Sequence, residues 1–184
     1  GYTQTTPLQL CLMTAQIANG GYKIKPKILV NNKPLSLEQA KNSMKFDSLH
    51  SPNLKLFDDP KNIKIVQEAM FSSTNEIYGT SYKSRIDDPK YQFAGKTGTS
   101  QVKRISKRER ELDLKLEQIP YKDRDHALYV AYGPYVNPRY ALSIIVEHGG
   151  SGSKTAAPMA KELFKLIIDR DELRKKQSNF EDIN

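Results

Sequence analysis

Residues 91–102 read YQFAGKTGTSQV, and this stretch predicts the central feature of the fold. Aromatic and β-branched residues such as Phe93 and Thr97 suit a half-buried β-strand. Glycine weakens the interior of a strand, so Gly95 and Gly98 indicate that another group approaches the backbone closely there. A lysine, hydroxyl groups and backbone N–H groups then share one strand edge. That combination favours an anionic or oxyanion-forming ligand.

Two known motifs are candidates for the middle of this stretch. A phosphate loop of the GxxxxGK[ST] type requires a glycine five residues before Gly95, where the chain has Lys90, and a helix from Thr97 onward, which β-branched residues and glycine disfavour. The K-T-G element of serine acyl-transferases that react with β-lactams matches Lys96-Thr97-Gly98-Thr99 and lies on a strand. A match of only three residues often occurs by chance. The alternative interpretation, an ordinary edge-strand turn, therefore stays open until the surrounding sequence is considered.

Two helices are predicted before this strand. Thr6 and Pro7 begin the first, Gln9 completes a capping box, and Gly20-Gly21 end it. Its apolar face is Leu8, Cys11, Leu12, Ala15 and Ala18, so Cys11 is expected to pack rather than react. The second helix begins at Asp59-Pro60 and repeats Ile63, Val66 and Met70 at helical spacing. Residues 23–30 suggest an extended segment, and 31–58 an irregular one.

Two further strands and a last helix follow. Residues 127–135 and 139–147 are apolar and joined by a tight turn, which predicts antiparallel strands in a sheet covered on both faces. The last helix is expected to bury Met159, Ala160, Leu163 and Ile167, and to fray from Asp169. The connection 103–126 is predicted to be a surface loop with a short helix at Leu112, Leu116 and Ile119. His126 and His148 have no ligand partner at metal-binding spacing and are expected to be structural.

Four segments, in the same order along the chain, resemble the high-molecular-weight class B penicillin-binding proteins, and most nearly the elongation-specific D,D-transpeptidases among them. The segments are GYTQTTPLQL (1–10), AGKTGTSQV (94–102), DHALYVAY (125–132) and VEHGGSGS with AAPMA (146–153 and 156–160). The resemblance covers the chain to about residue 168. In this family a Gly-Thr pair at the place of Gly79-Thr80 shapes the loop beside the site.

The resemblance implies an α/β (α+β) fold in which an antiparallel sheet is flanked by helices, as the C-terminal portion of a β-lactamase/transpeptidase-like fold. Residues 1–168 would belong to the transpeptidase (penicillin-binding) domain, and 169–184 would form a charged C-terminal tail. It implies the activity of a serine-type D,D-transpeptidase, which cross-links peptidoglycan stem peptides by acyl transfer and binds penicillin.

The same resemblance assigns roles to five residues. Lys96, Thr97, Gly98 and Thr99 would be catalytic: Lys96 would place a positive charge beside the serine of an S-x-N motif, and Gly98 would let the backbone come close. The hydroxyls of Thr97 and Thr99 would hold the carboxylate of the substrate or β-lactam, with Gly95 as a further substrate-binding residue. The N–H of Thr99 would form half of the oxyanion hole. No cofactor and no metal is expected.

The nucleophile is the missing part. Acyl transfer needs a serine next to a base, usually a lysine one helical turn later. Ser100 and Lys103 have S-x-x-K spacing but lie on a strand, where residues three apart point to opposite faces, and Ser151 and Lys154 lie in a glycine loop. We therefore expect S-x-x-K and S-x-N to precede Gly1 in a longer protein, and this chain to be inactive by itself.

Composition leaves two alternatives. At 184 residues with 38% hydrophobic content, the chain suits one domain, and the single Cys11 permits no internal disulfide. The formal net charge of +8 is carried by scattered lysines without interleaved aromatics, so a nucleic-acid-binding domain is disfavoured and no nucleic acid partner is expected. A non-catalytic peptidoglycan- or partner-binding module on the same fold remains the second hypothesis.

The resemblance also implies a location and partners. The complete protein would act on the periplasmic side of the bacterial inner membrane, anchored by an N-terminal segment absent from this chain. Its partners would be peptidoglycan stem peptides, β-lactams, a SEDS-type glycosyltransferase and other proteins of the elongation complex.

Overall fold

The structure, a computed structural model, describes residues 4–26, 55–103 and 114–181, with side chains up to residue 173. Several sequence predictions lie outside these ranges: the first three residues of the segment 1–10, most of the segments 23–30 and 31–58, and the part of the 103–126 connection that contains Leu112.

Three helices and a three-stranded sheet form the described fold. The helices are α1 (Pro7–Ala18), α2 (Pro60–Asn75) and α3 (Ala157–Glu181). The strands are β1 (Ala94–Ser100), β2 (His126–Gly133) and β3 (Tyr140–Val146), in the order β1-β2-β3 with both pairs antiparallel. The predicted antiparallel sheet flanked by helices is confirmed, and each strand end lies within two residues of its predicted limit.

The helix ends follow from their capping residues. At the start of α1 the N–H of Gln9 donates to Thr6 Oγ1 at 3.2 Å, and the Gln9 side chain accepts from the Thr6 N–H at 2.8 Å. At the start of α2 the N–H of Lys61 donates to Asp59 Oδ1 at 2.8 Å. These bonds satisfy N–H groups that have no partner inside the helix. The predicted caps are confirmed.

The buried faces of α1 and α2 differ in part from the prediction. The fully buried residue of α1 is Thr14, whereas Leu8 is 53% exposed. On α2, Ile63 and Met70 are buried as expected, but Val66 is 40% exposed. The polar Thr14 can be buried because its hydroxyl donates to the Leu10 carbonyl one turn earlier, at 2.8 Å.

The face of α3 was predicted one position out of register. Ala160 is buried as expected, but Met159 and Leu163 are 48% and 39% exposed. The buried stripe is Ala156, Ala160, Phe164 and Ile168, and Ala156 closes the turn before the helix. The helix is apolar on adjacent faces, so periodicity alone does not choose between them. The choice is made by Phe164, whose ring stacks on Phe93 with centroids 4.9 Å apart.

The core lies on both faces of the sheet. On one face Phe93, Tyr129 and Phe164 pack with the alanines of α3. On the other face Tyr132 and Met70 pack with residues of α1 and α2. The strand β2 lies between the two other strands and contributes buried residues to both clusters. The prediction that the sheet is covered on both faces is therefore confirmed.

The helix α3 continues through residue 169 to Glu181. Asp169 accepts hydrogen bonds from the Tyr91 hydroxyl and from Lys90 Nζ, and Lys90 also pairs with Glu172. The hydrogen bond from Tyr91 and then that from Lys90 lower the pKa of the Asp169 carboxyl. The prediction that the chain frays from Asp169 is wrong, since this residue is tied to the segment before β1. A domain boundary at residue 168 stays a prediction.

In the three described ranges, none of the helices combines the length and the apolar character that crossing a membrane requires.

The stacked pair of Phe164 and Phe93 should dominate the stability contributed by α3. We expect Phe164→Ala to lower the free energy of unfolding by about 3–5 kcal/mol, because it removes a fully buried ring and leaves a cavity. Leu166→Ala on the same helix removes a side chain that is 66% exposed and should cost less than about 1 kcal/mol. Urea denaturation of the two variants measures both values; equal losses would contradict the packing described for α3.

Candidate active site on the outer edge of β1

The strand β1 lies at the edge of the sheet, and its hydrogen bonds define which groups face outward. The N–H of Gly95 donates to Thr74 Oγ1 of α2 at 3.0 Å, on the side away from β2. In an antiparallel pair, alternate residues direct their N–H and C=O groups to the same side. Thr97 and Thr99 therefore direct theirs to the outer edge, whereas Lys96 and Gly98 direct theirs towards β2. The predicted oxyanion donor, the N–H of Thr99, lies on that outer edge.

The K-T-G-T residues differ in exposure along this edge. Lys96 and Thr99 are exposed, Thr97 and Gly98 are half-buried, and Gly95 is buried. Lys96 Nζ donates to the Thr97 carbonyl at 2.9 Å and lies 3.4 Å from Thr97 Oγ1. The structure thus brings an amine, a hydroxyl and outward N–H groups together at one place. This arrangement suits a carboxylate or a developing oxyanion.

A second threonine contacts this group. Thr80 Oγ1 lies 3.3 Å from Thr97 Oγ1 and 3.2 Å from Ser73 Oγ, so three hydroxyls form a chain from α2 to β1. Gly79 allows this close turn, because a Cβ there would lie 2.4 Å from the Ser73 carbonyl oxygen. The sequence indicated only that Gly79-Thr80 lies near the site. The direct contact between Thr80 and Thr97 was missed because nothing in the spacing predicts it.

A buried hydroxyl cluster holds the beginning of β1 in place. The Tyr129 hydroxyl lies 2.9 Å from Thr74 Oγ1 and 3.1 Å from Ser81 Oγ, and Ser81 also donates to the Ser73 carbonyl at 3.0 Å. Burial raises the pKa of Tyr129, so its phenol stays protonated and can donate. The sequence predicts no role for Thr74, Ser81 or Tyr129, since isolated hydroxyl residues carry no recognisable pattern.

Gly95 belongs to this cluster rather than to the open edge. A Cβ at position 95 would lie 2.4 Å from the Tyr129 hydroxyl oxygen, and both the N–H and the C=O of Gly95 contact Thr74 Oγ1. The structure therefore gives Gly95 a packing role, and its predicted role in substrate binding stays a prediction that this geometry does not favour. Gly98 is less confined, because a Cβ there would contact only Leu128 Cβ, at 3.2 Å.

The two S-x-x-K tetrads form no serine–lysine pair in the part of the chain that the structure describes. Lys103 Nζ pairs with Asp123 at 3.2 Å, and Ser100 is an exposed strand residue. Ser151 Oγ caps the turn that follows it and accepts from the backbone N–H of Lys154 at 3.4 Å, not from its amine. Neither serine therefore contacts the lysine amine of its tetrad, although β1 ends at Ser100 and Lys103 lies beyond the strand on which it was predicted.

The other candidate side chains have structural partners. Cys11 Sγ lies 3.4 Å from the Ala141 carbonyl, and burial raises the pKa of its thiol, which disfavours the nucleophilic thiolate. His126 Nδ1 accepts from the His148 N–H at 2.9 Å, and His148 Nδ1 lies 3.0 Å from the Arg124 carbonyl. Residues 4–26, 55–103 and 114–173 contain no group of three or more histidine, cysteine or acidic side chains that could hold a metal ion.

Comparison with known proteins identifies what this chain resembles. Residues 1–165 match the penicillin binding protein transpeptidase domain family. The chain is 33% identical over 171 residues to the peptidoglycan D,D-transpeptidase MrdA of Salmonella typhimurium, covering 92% of this chain and 26% of that protein. It thus spans about a quarter of the length of this curated relative.

Two solved structures resemble the fold. The crystal structure of Pseudomonas aeruginosa PBP2 in complex with WCK 5153 superposes with a TM-score of 0.64 and 31% identity, over 90% of this chain and 31% of that one. The complex between PBP2 and MreC from Helicobacter pylori gives a TM-score of 0.58 and 29% identity, over 88% of this chain and 25% of that one. The β-lactamase/transpeptidase-like fold inferred from the sequence is confirmed.

The two glycines of β1 should respond differently to an added methyl group. We expect Gly95→Ala to lower the free energy of unfolding by about 1–3 kcal/mol, because its Cβ would overlap the Tyr129 hydroxyl inside a packed cluster. Gly98→Ala should cost less than about 1 kcal/mol, because only Leu128 Cβ must move slightly. Thermal unfolding of the matched pair measures the difference. Equal destabilisation would show that Gly95 is not confined by Tyr129.

Proposed function

The chain belongs to the penicillin binding protein transpeptidase domain family, and from this premise we propose that the complete protein is a peptidoglycan D,D-transpeptidase of the penicillin-binding protein 2 type. It would cross-link cell-wall stem peptides and be acylated by penicillin. The observation that carries the proposal is the outer edge of β1, where Lys96 and Thr97 are in contact at 2.9 Å beside the outward N–H of Thr99.

The proposed reaction divides the work between two parts of the protein. A serine of an S-x-x-K motif, supplied by the segment expected before Gly1, attacks the carbonyl carbon of the penultimate D-alanine. The bond to the terminal D-alanine breaks and that residue leaves with a proton. An amine of a neighbouring strand then attacks the acyl-serine, forms the cross-link and releases the serine. The covalent intermediate divides one difficult acyl transfer into two easier steps.

This chain would supply charge and orientation. The hydroxyls of Thr97 and Thr99 would hold the terminal carboxylate of the peptide, and the N–H of Thr99 would donate to the oxyanion that forms at the attacked carbonyl. Lys96 would place its positive charge beside the S-x-N serine, where it favours a proton transfer and the binding of an anion. Donors that are already oriented act without reorganisation at the moment of reaction, which makes them effective.

The location and partners are proposals that rest on the relatives. One solved relative is a complex of Helicobacter pylori PBP2 with MreC, and another is Pseudomonas aeruginosa PBP2 in complex with WCK 5153. By analogy, the complete protein would bind β-lactams and associate with proteins of the elongation complex, including a SEDS-type glycosyltransferase. It would act on the periplasmic side of the bacterial inner membrane, held there by an N-terminal anchor.

A non-catalytic module that binds peptidoglycan or a partner is the second candidate function. It is favoured by one observation, namely that neither Ser100 nor Ser151 meets a lysine amine among the described residues. The sequence before Gly1 separates the two candidates, because only the transpeptidase requires S-x-x-K and S-x-N there.

Covalent labelling by a fluorescent penicillin tests the proposal directly. We expect the complete protein to be labelled at one site and this chain alone to stay unlabelled, because neither Ser100 nor Ser151 contacts the lysine amine of its tetrad. The measurement is in-gel fluorescence followed by peptide mapping of the adduct. A stable adduct on Ser100 or Ser151 of the isolated chain, or no adduct on the complete protein, would refute the assignment.

The charge of Lys96 should contribute to acylation. In the complete protein, Lys96→Ala should slow acylation by penicillin by about 10² or more, as loss of a positioned electrostatic group typically does. Lys96→Arg should lose less, because it keeps the charge but changes the geometry. Lys61→Ala, an exposed residue in the first turn of α2, is the matched control and should acylate at the original rate. Unchanged rates in both Lys96 variants would show that Lys96 is an ordinary surface lysine.

A further inference from the structure

A cleft lies beside the K-T-G-T strand, and no sequence motif predicted it. It is bounded by the loop after α2 and by the turn that leads into α3, and its volume is about 710 Å³. We name it the lysine cleft and define it by Thr80, Tyr82, Lys83, Ser153, Lys154 and Lys161. Its volume lies within the range of about 300–1,000 Å³ that is typical of small-molecule sites.

The lysine cleft is strongly positive. Its three lysines face one lining carboxylate, Glu162, which lies 3.9 Å from Lys165 of the same helix. In the described part of the chain none of Lys83, Lys154 and Lys161 forms an ion pair with a carboxylate. Other lysines of the chain do so, such as Lys90 with Asp169 at 3.1 Å. Three lysines and one carboxylate around a concave site leave a net positive charge, which attracts an anionic ligand.

The walls of the cleft are attached to the catalytic strand at two points. On one side Thr80 Oγ1 lies 3.3 Å from Thr97 Oγ1. On the other side Gly152, which precedes the lining residue Ser153, packs over the paired strands β1 and β2, since a Cβ there would lie 2.6 Å from the Gly98 carbonyl oxygen and 2.4 Å from the Leu128 carbonyl oxygen. The turn from Gly152 to Ala156 has π-helical geometry, a feature found frequently at functional sites. The cleft therefore adjoins the outer edge of β1 through Thr80.

We propose that the lysine cleft is a second anion-binding subsite, which takes a side-chain carboxylate of an acidic peptide whose reacting end lies at Thr97 and Thr99. The inference rests on the proposed function, because it uses the same peptide. The hydroxyl of Thr80 joins the two subsites. Lysine amines bind a carboxylate as mobile point charges with three donors each, so the subsite selects for charge rather than for one fixed geometry.

A pair of synthetic peptides ending in D-Ala-D-Ala tests the subsite in the complete protein. The two peptides differ in one internal side-chain carboxylate, which is free in the first and amidated in the second. Release of D-alanine gives kcat/KM for each. We expect the free acid to be processed about tenfold faster, since two or three exposed ion pairs each contribute up to about fivefold. In Lys83→Gln/Lys154→Gln/Lys161→Gln the ratio of the two kcat/KM values should fall to nearly one, and in the double variant Lys83→Gln/Lys154→Gln it should fall at least about threefold.

The controls separate this subsite from the reacting end. Penicillin lacks the second carboxylate, so its acylation rate should change less than about twofold in the double variant. Lys61→Gln removes an exposed lysine in the first turn of α2 and should keep the full ratio. In the unmodified protein, raising the salt from about 50 mM to about 500 mM should reduce the ratio without any substitution.

Each result decides between the two proposals. If the unmodified protein is labelled by penicillin but processes both peptides equally, or if the ratio survives in the double variant, the subsite is refuted and the transpeptidase assignment stands. If penicillin does not label the unmodified protein, the proposed function fails, and the subsite that rests on it fails as well.

Discussion

The hydrogen bond from the Gly95 N–H to Thr74 Oγ1 fixes the edge on which the candidate site depends. An edge strand has a row of backbone groups without sheet partners, and such a row must be covered or left in water. At Gly95 the row is covered by Thr74, whose hydroxyl also contacts Tyr129. A buried N–H left without an acceptor costs about 1–3 kcal/mol, so α2 cannot separate from β1 at this point without a penalty. Two residues later the same edge is open at Thr97, and a ligand can approach it.

Glycine has two distinct functions within this small region. Gly95 and Gly152 make room for the protein itself, because a Cβ at either position would lie 2.4 Å from another atom, the Tyr129 hydroxyl oxygen and the Leu128 carbonyl oxygen respectively. Gly98 has no comparable obstruction within the fold. The space beside Gly98 can therefore be occupied by a ligand, whereas the space beside Gly95 is already filled by Tyr129. A motif that contains several glycines thus combines packing with recognition, and only the three-dimensional contacts separate the two.

The parts of the fold that depend on local chemistry could be predicted from the sequence. The caps at Thr6 and Asp59 involve residues two or three positions apart, and the strands follow from runs of apolar residues. The face of α3 could not be assigned, because Phe164 is selected by its contact with Phe93, 71 positions earlier along the chain. The outward direction of Thr97 and Thr99 follows from the alternation of groups along a strand, and Lys96 joins them through its side-chain amine, which reaches the Thr97 carbonyl. The hydroxyl cluster and Thr80 could not be predicted, since they join segments that have no shared pattern.

The lysines that contribute to the net charge of +8 have two different environments in the structure. Lys90 and Lys103 are paired with carboxylates and contribute little beyond local order. Lys83, Lys154 and Lys161 are gathered around a cleft that adjoins Thr97 through Thr80, although Lys83 is about 70 to 80 positions from the other two along the chain. Positive charge that is concentrated beside outward N–H groups acts on an anion through both direct contact and the local field. The edge of β1 and the lysine cleft together therefore present positive charge and hydrogen-bond donors that suit an anionic ligand. Neither Ser100 nor Ser151 contacts the lysine amine of its own tetrad, so these two serines lack the paired base that a nucleophilic serine requires.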